Sequence, residues 1–196
     1  MNKTFLILLL ACPGFWWVIF QPKAMIAEYL STPKYFIGHI KSYLTSDYYL
    51  KIDEMRWGGR ALHRNDIISR FFYNKFVIIP KETFDFIQFL TPRLYFSVGD
   101  GSRLTPPRLE PIPFLLFPFW IFGLIFLFKS HHFRPLYYLL LAGAFAYLVG
   151  RRNMAFLLPV LIIHTYICSL GLKNRLFTAI ILVYGAYLLG MSAWLS

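Results

Sequence analysis

Acidic residues are missing from both ends of this sequence: all nine Asp and Glu lie between Glu28 and Glu110. Charge of either sign is scarce, at 15% of the chain, where a soluble domain carries about a quarter. A chain this poor in charge and 58% hydrophobic needs a solvent other than water for much of its surface, which excludes an ordinary soluble globule. Cysteine is nearly absent. Cys12 and Cys168 both sit inside apolar runs, where a thiol behaves as a small hydrophobe. They give no metal-ligand spacing and say nothing about redox compartment. The sequence also lacks a phosphate-cradling glycine loop, a metal-ligand cluster, a Ser–His–Asp signature and any internal repeat. No metal or other cofactor is expected.

What is present is a set of long apolar runs. "PFLLFPFWIFGLIFLF", "PLYYLLLAGAFAYLVG", "MAFLLPVLIIHTYICSLGL" and "LFTAIILVYGAYLLGMSAWL" contain no acid and run 16 to 20 residues each, near the ~20 that span about 30 Å of hydrocarbon. "FLILLLACPGFWWVIF" makes a fifth. Its "LLAC" resembles a cleavage box before Cys12, but "PGFWWVIF" continues the apolar run past that point, so a retained span is expected. The expected fold is all-α: a polytopic helical membrane protein with about five transmembrane helices. Residues 1–22 form the first, 23–111 a helical extracytoplasmic segment, and 112–196 a four-helix transmembrane region. The net charge of +11 then points to anionic lipid and phosphate as partners and not to nucleic acid.

Orientation follows from Lys and Arg in the short loops. With the N-terminus cytoplasmic, Lys3, Lys129, Arg134, Lys173 and Arg175 all fall inside, and only Arg151 and Arg152 stand against the rule. The long polar segment, the loop "GRRN" and the C-terminus then lie outside.

Within the polar segment, "PKAMIAEYL" and "PKYFIGHIKSYL" each open with a proline suited to a first helical turn. Asn65 or Asp66 is placed to cap a helix over "DIISRFFYNKFVII", whose apolar residues share one broad face. That helix either rests on the membrane surface or packs within an outer cap. Pro80 is expected to break it, and "KETFDFIQFL" to continue as a second aromatic helix ending before Pro92.

Four motifs carry candidate chemistry. In "SVGDGSRLTPPRLEPIP", Gly99 and Gly101 let the backbone turn sharply around Asp100, and the prolines at 106, 107, 111 and 113 stiffen the exit. Asp100 either stabilises its own turn, accepts from a sugar, or pairs with Arg103. The Arg151–Arg152 pair sits beyond a span of 16 residues, Pro135 to Gly150, about 24 Å as a helix and short for a bilayer. Recessed guanidinium forks bind phosphate bidentately, or else snorkel to ordinary phospholipid. His164 lies mid-span; an ionisable residue there is a functional candidate, but as a neutral imidazole it reads first as a donor to a neighbouring helix. Asp53–Glu54 in "KIDEMRW" reads as a solvated face, since consecutive residues diverge on a helix and Lys51 and Arg56 interleave. His131 and His132 flank a cytoplasmic turn and are expected to be solvated.

The order of these pieces resembles the C-terminal region of the GT-C superfamily of polytopic membrane glycosyltransferases, in particular dolichyl-phosphate-mannose-protein mannosyltransferase-like and aminoarabinose-transferase-like proteins. "RFFYNKFVIIPKETFDFIQFLTPRLYFSVGDG" is followed by a proline-rich tail, "PFLLFPFWIFGLIFLF" and "GRRNMAFLLPVLIIHTYICSLGL". The matching positions are Arg70, Asn74 and Lys75; Phe96, Gly99 and Asp100; Gly123 and Leu124; and Arg152, Leu158 and Pro159, within roughly Arg56 to Leu172. The resemblance implies hexosyl or pentosyl transfer from a polyprenyl-phosphate donor on the outer face. It implies donor phosphate on Arg152, alone or with Arg151; Asp100 and Arg103 on the acceptor or donor side of the cavity; and Lys75 as a further substrate-binding residue. In the relatives the catalytic acid comes early, after the first span. Asp53–Glu54 aligns with the later region, so the resemblance leaves the catalytic residue unknown and implies one of three things: the chain is a fragment, it needs a protein partner supplying the front half, or it has lost catalysis. A non-catalytic membrane protein that binds anionic lipid or acts as a scaffold is the alternative. A channel or transporter is disfavoured by spans with almost no intramembrane charge.

Overall fold

Proline sets the joints of this chain. The structure is a computed structural model, and it describes residues 3–44, 50, 52–58, 67–68, 71, 78–99, 102, 104–106, 109–172 and 174–195. Among these residues every regular element is a helix. The first apolar run is two helices, α1 (Lys3–Ala11) and α2 (Pro13–Phe20), bent by 68° at Cys12. Pro13 supplies no N–H and drives the residue before it out of the helical region; Cys12 is extended at φ −84°, ψ 114°. Pro22 opens α3 (Pro22–Leu30), and Pro33 lies in the first turn of α4 (Thr32–Leu44), as expected.

The expected helix over residues 66–79 falls mostly outside the described residues. The next helix, α5 (Ile78–Leu90), carries the expected aromatic run and ends before Pro92, but it includes Pro80, which was expected to lie between two helices. After Thr91 the chain coils into a short π-helical turn, Leu94–Val98. The second half contains α6 (Phe117–Lys129), α7 (Arg134–Val149), α8 (Met154–Gly171) and α9 (Arg175–Leu195).

The centre of the molecule is α8, with Phe156, Leu157, Val160, Leu161, Ile167 and Cys168 fully buried. It is the one described helix long and apolar enough to cross a bilayer unaided. The α1–α2 pair qualifies as a span only with its two bent halves together. So do Phe114–Lys129 and Arg134–Val149, which diverge by 119° across their turn. In α9 the apolar stretch is shorter, Leu176–Ser192. The five expected crossings thus appear as one full-length helix, two bent pairs and one shorter apolar helix.

Glycine lets backbones meet around α8. A Cβ on Gly123 would collide with the Ile167 carbonyl, and one on Gly171 with the Phe119 carbonyl, so α6 and α8 touch main chain to main chain. Gly185 of α9 meets the Ala11 carbonyl of α1 in the same way. This small-residue contact is the usual means of close helix packing where lipid removes the hydrophobic drive.

Pro159 sits inside α8 and cannot donate to the carbonyl four residues earlier, that of Ala155. The orphaned oxygen accepts instead from the Tyr29 hydroxyl of α3 at 2.7 Å. A polar-segment helix is therefore fastened to the central helix where proline opened it. Burial pushes the Tyr29 phenol above its ordinary value. Mid-α8, the Trp120 indole N–H donates to His164 Nδ1 at 2.9 Å, so the imidazole accepts from its neighbour helix where a donor was expected.

Candidate functional site

The sequence Gly-Arg-Arg-Asn builds its own corner. Gly150 ends α7 in the left-handed region at φ 71°, ψ 20°, a conformation that costs glycine nothing. Asn153 is extended and its side chain accepts from the Ala155 N–H at 3.1 Å, capping α8. Arg151 and Arg152 are the residues between stop and start, and both are exposed.

The two arginines point to different work. Arg151 Nη1 donates to Glu28 at 3.0 and 3.3 Å and to the Tyr35 hydroxyl at 2.8 Å, with its guanidinium 4.3 Å from the Tyr35 ring centre. It ties the α7–α8 corner to α3 and α4. Among the described residues Arg152 makes no ion pair; its guanidinium lies 5.6 Å from the centre of the Phe89 ring. From there it borders two cavities.

The larger, about 650 Å³, is lined by Arg152, Arg93, Gln88, Thr91 and Gly99, with Phe84, Ile87 and Leu94 as apolar wall. Two guanidinium groups line it and, among the described residues, no carboxylate does. The smaller, about 310 Å³, is lined by Arg152, His39, Ser42, Glu82, Asp85 and Tyr147, with Phe89 and Gly150 completing it. Residues 82, 85 and 89 recur at helical spacing, so one face of α5 supplies this second cavity. The Tyr147 hydroxyl donates to Glu82, and the His39 ring packs edge-on against Tyr147 and fills the space where a Cβ of Gly150 would be.

Gly99 takes φ 69°, ψ −170°, which only glycine adopts without strain. The kinked loop thus starts at the edge of the cavity that Arg152 borders. Asp100, Arg103 and Lys75, with Gly101, Arg70 and Asn74, lie outside the described residues. The described part of the exit is firmly held. Pro111, Ile112 and Pro113 are buried, the Pro111 carbonyl accepts from the Gly14 N–H at 2.9 Å, and the Ile112 N–H donates to the Tyr95 carbonyl at 2.8 Å. Glu110 accepts from the Phe114 N–H at 2.6 Å and from the Tyr184 hydroxyl at 3.4 Å. Partial burial raises its pKa, and these hydrogen bonds only offset part of that rise.

Other candidates stand apart from this site. Asp53 and Glu54 are exposed, and Asp53 pairs with Arg56 at 3.2 Å, in keeping with a solvated face. His131 and His132 are exposed at the α6–α7 turn. His164 is enclosed by the rings of Tyr95, Phe96 and Trp120. Phe96 is itself buried in the core and lines neither cavity. Among the described residues no group of three His, Cys, Asp or Glu converges to hold a metal. Sequence reasoning missed Arg93, Asp85 and His39. For Asp85 a signal existed: Glu82, Asp85 and Phe89 fall on one helical face.

No protein-family model, curated protein or solved structure matches the chain.

Proposed function

We propose that the chain is a multi-pass membrane protein whose Arg93–Arg152 cleft holds the phosphate of a lipid-borne ligand on the extracytoplasmic side. In this reading it forms the later portion of a glycosyltransferase of the GT-C kind, and the acid that drives sugar transfer belongs to a partner or front half. The carrying observation is the cleft itself: two guanidinium groups that, among the described residues, have no ion-pair partner and share the lining with an apolar wall and no carboxylate. Such a lining suits an anion attached to hydrocarbon. The outward faces of α6, α7 and α9 support the membrane setting. Phe122 and Phe128, Tyr137 and Leu141, and Leu176 and Val183 are all exposed, more apolar surface than water tolerates on a monomer.

The test is lipid binding by the full chain in nanodiscs, read by crosslinking to a photoreactive polyprenyl phosphate. Arg152→Lys and Arg93→Lys each lose a planar fork, and charge-assisted hydrogen bonds contribute about 1.5–3 kcal/mol, so affinity falls roughly tenfold or more. Arg151→Lys leaves lipid affinity near wild type, because Arg151 is engaged with Glu28 and Tyr35. Wild-type crosslinking in both the Arg93 and Arg152 variants overturns the reading.

A further inference from the structure

We infer that a cavity at the start of α7, one helix length from the Arg151–Arg152 corner, holds the head group of an anionic phospholipid such as phosphatidylglycerol, with the phosphate on Arg134. The inference rests on the membrane setting proposed above and not on the Arg93–Arg152 cleft, with which this cavity shares no lining residue.

The α6–α7 turn builds the polar side. His131 takes the left-handed conformation at φ 53°. The next N–H, that of His132, donates to the Leu127 carbonyl at 3.1 Å and closes α6. His132 therefore stands just before α7, and Arg134 is the first residue of that helix. Both line the cavity, joined one turn further on by Tyr138. The apolar wall comes from α8 and α1. Ile162, Ile163 and Tyr166 share one helical face, and the Phe5 ring packs edge-on against Tyr166 with ring centres 5.6 Å apart.

Charge sets the sign of the ligand. Among the described residues, the side chains of Arg134 and His132 have no hydrogen bond and no ion pair, and no carboxylate lines the cavity. An unpaired guanidinium fork matches a phosphate bidentately. A zwitterionic head group brings an ammonium into a lining that holds a fixed positive charge and no acid to receive it.

Size and shape set the rest of the ligand. At about 470 Å³ the cavity lies within the range of small-ligand sites, about 300–1,000 Å³. A bare inorganic anion leaves the wall of Phe5, Ile162 and Ile163 unused, whereas a phospholipid lays its glycerol and first acyl methylenes there. Arg134 and Tyr138 are exposed and the wall is half-buried, so the cavity opens to the surface. Lys3, two residues before Phe5, and Lys129, at the end of α6, mark the same face as basic. In the proposed orientation that face is cytoplasmic, and anionic lipid concentrates in the cytoplasmic leaflet.

The experiment uses the full chain in phosphatidylcholine nanodiscs doped with one of two probes, phosphatidylglycerol or phosphatidylcholine carrying the same photoreactive acyl chain. The expected result is crosslinking of phosphatidylglycerol to α1 and α8 about tenfold above phosphatidylcholine, with no displacement by excess inorganic phosphate. Arg134→Lys keeps the charge, loses the fork and lowers phosphatidylglycerol crosslinking roughly tenfold. Ile162→Trp fills the cavity with every charge kept and lowers it comparably. Lys129→Gln removes a charge from the same turn outside the cavity and leaves crosslinking near wild type. Equal crosslinking of the two lipids, or wild-type crosslinking in either cavity variant, overturns the site. So does a loss in Lys129→Gln as large as that in Arg134→Lys, which means diffuse surface attraction, or displacement by inorganic phosphate, which means a free anion. Selective loss in Arg134→Lys, alongside wild-type polyprenyl-phosphate crosslinking in the Arg93 and Arg152 variants, keeps this site and removes the cleft; the reverse pattern removes this site alone.

Discussion

Gly99 shows what one residue decides here. At φ 69°, ψ −170° its backbone lies where side chains are strained, yet a Cβ would meet only ordinary contacts, 3.5 Å from Pro111 and 3.6 Å from Thr105. The cost of Gly99→Ala is therefore conformational, about 1–3 kcal/mol, seen as a lower melting temperature in detergent and weaker lipid crosslinking at the cleft. Glu110 tests burial in the same loop. Its pKa is raised above 4.5, so its ionised form is less favoured in the folded chain than in the unfolded one. Its effect is to lower stability as pH rises from the ordinary carboxylate value through the raised one. Below that window the penalty is absent. Glu110→Gln retains an acceptor for the Phe114 N–H and removes the ionisation. Its melting temperature should change less than the wild type's from about pH 4 to about pH 8; parallel curves would contradict the assignment. At this scale the sequence was partly legible. Glycine identity marked the kink at Gly99, because few residues tolerate that backbone. Arg93 gave no signal, since a lone arginine between Pro92 and Leu94 acquires meaning only when the fold sets it beside Arg152.

Helices carry two further tests. The Tyr29 hydroxyl answers the carbonyl that Pro159 orphans. Tyr29→Phe leaves that buried oxygen without a partner, a loss of about 1–3 kcal/mol. Pro159→Ala restores an N–H to the helix, so the loss from Tyr29→Phe should largely vanish in the Pro159→Ala background. Additive losses in the double variant, read by thermal unfolding, would mean the hydroxyl does other work. The α6–α8 contact gives the second test. Gly123→Ala forces a Cβ into the Ile167 carbonyl, which the backbone of a central helix cannot yield cheaply, whereas a Cβ on Gly38 of α4 meets nothing within 4 Å. Gly123→Ala should lower the melting temperature sharply, and Gly38→Ala should stabilise by about 0.5–1 kcal/mol. Element type was readable at this scale because prolines at 22 and 33 announce their own helices. The bend at Cys12 was hidden because the apolar run is continuous in composition, and only the Cys12–Pro13 step marks the break. Pro80 was expected between two helices and lies inside the described part of one, α5, whose aromatic run was legible in the sequence.

For the whole molecule, the proposed membrane setting is tested by how the four apolar helices beyond the polar segment would meet a bilayer. Composition announces that they are apolar; it does not give the angle between them. At 119°, α6 and α7 form a V where successive crossings would fold back close to antiparallel. Two arrangements fit: both helices cross steeply tilted, or the V dips in and returns to the side it left. Counting crossings shows that either one leaves α8, α9 and the polar segment on the same sides. Only the turn at the tip of the V distinguishes them. Cys12 and Cys168 are buried, so single cysteines at exposed positions report cleanly to a membrane-impermeant thiol reagent on intact cells. In the proposed orientation Lys34→Cys reacts from outside and Asn174→Cys only after permeabilisation, because basic residues concentrate in the turns that this orientation makes cytoplasmic. Ser130→Cys decides the V. Reaction only after permeabilisation means two crossings, and protection from both sides means a re-entrant pair. Labelling of Asn174→Cys from outside with Lys34→Cys protected would invert the orientation, put the Arg93–Arg152 cleft on the cytoplasmic side, and remove the basis for an extracytoplasmic lipid-phosphate site.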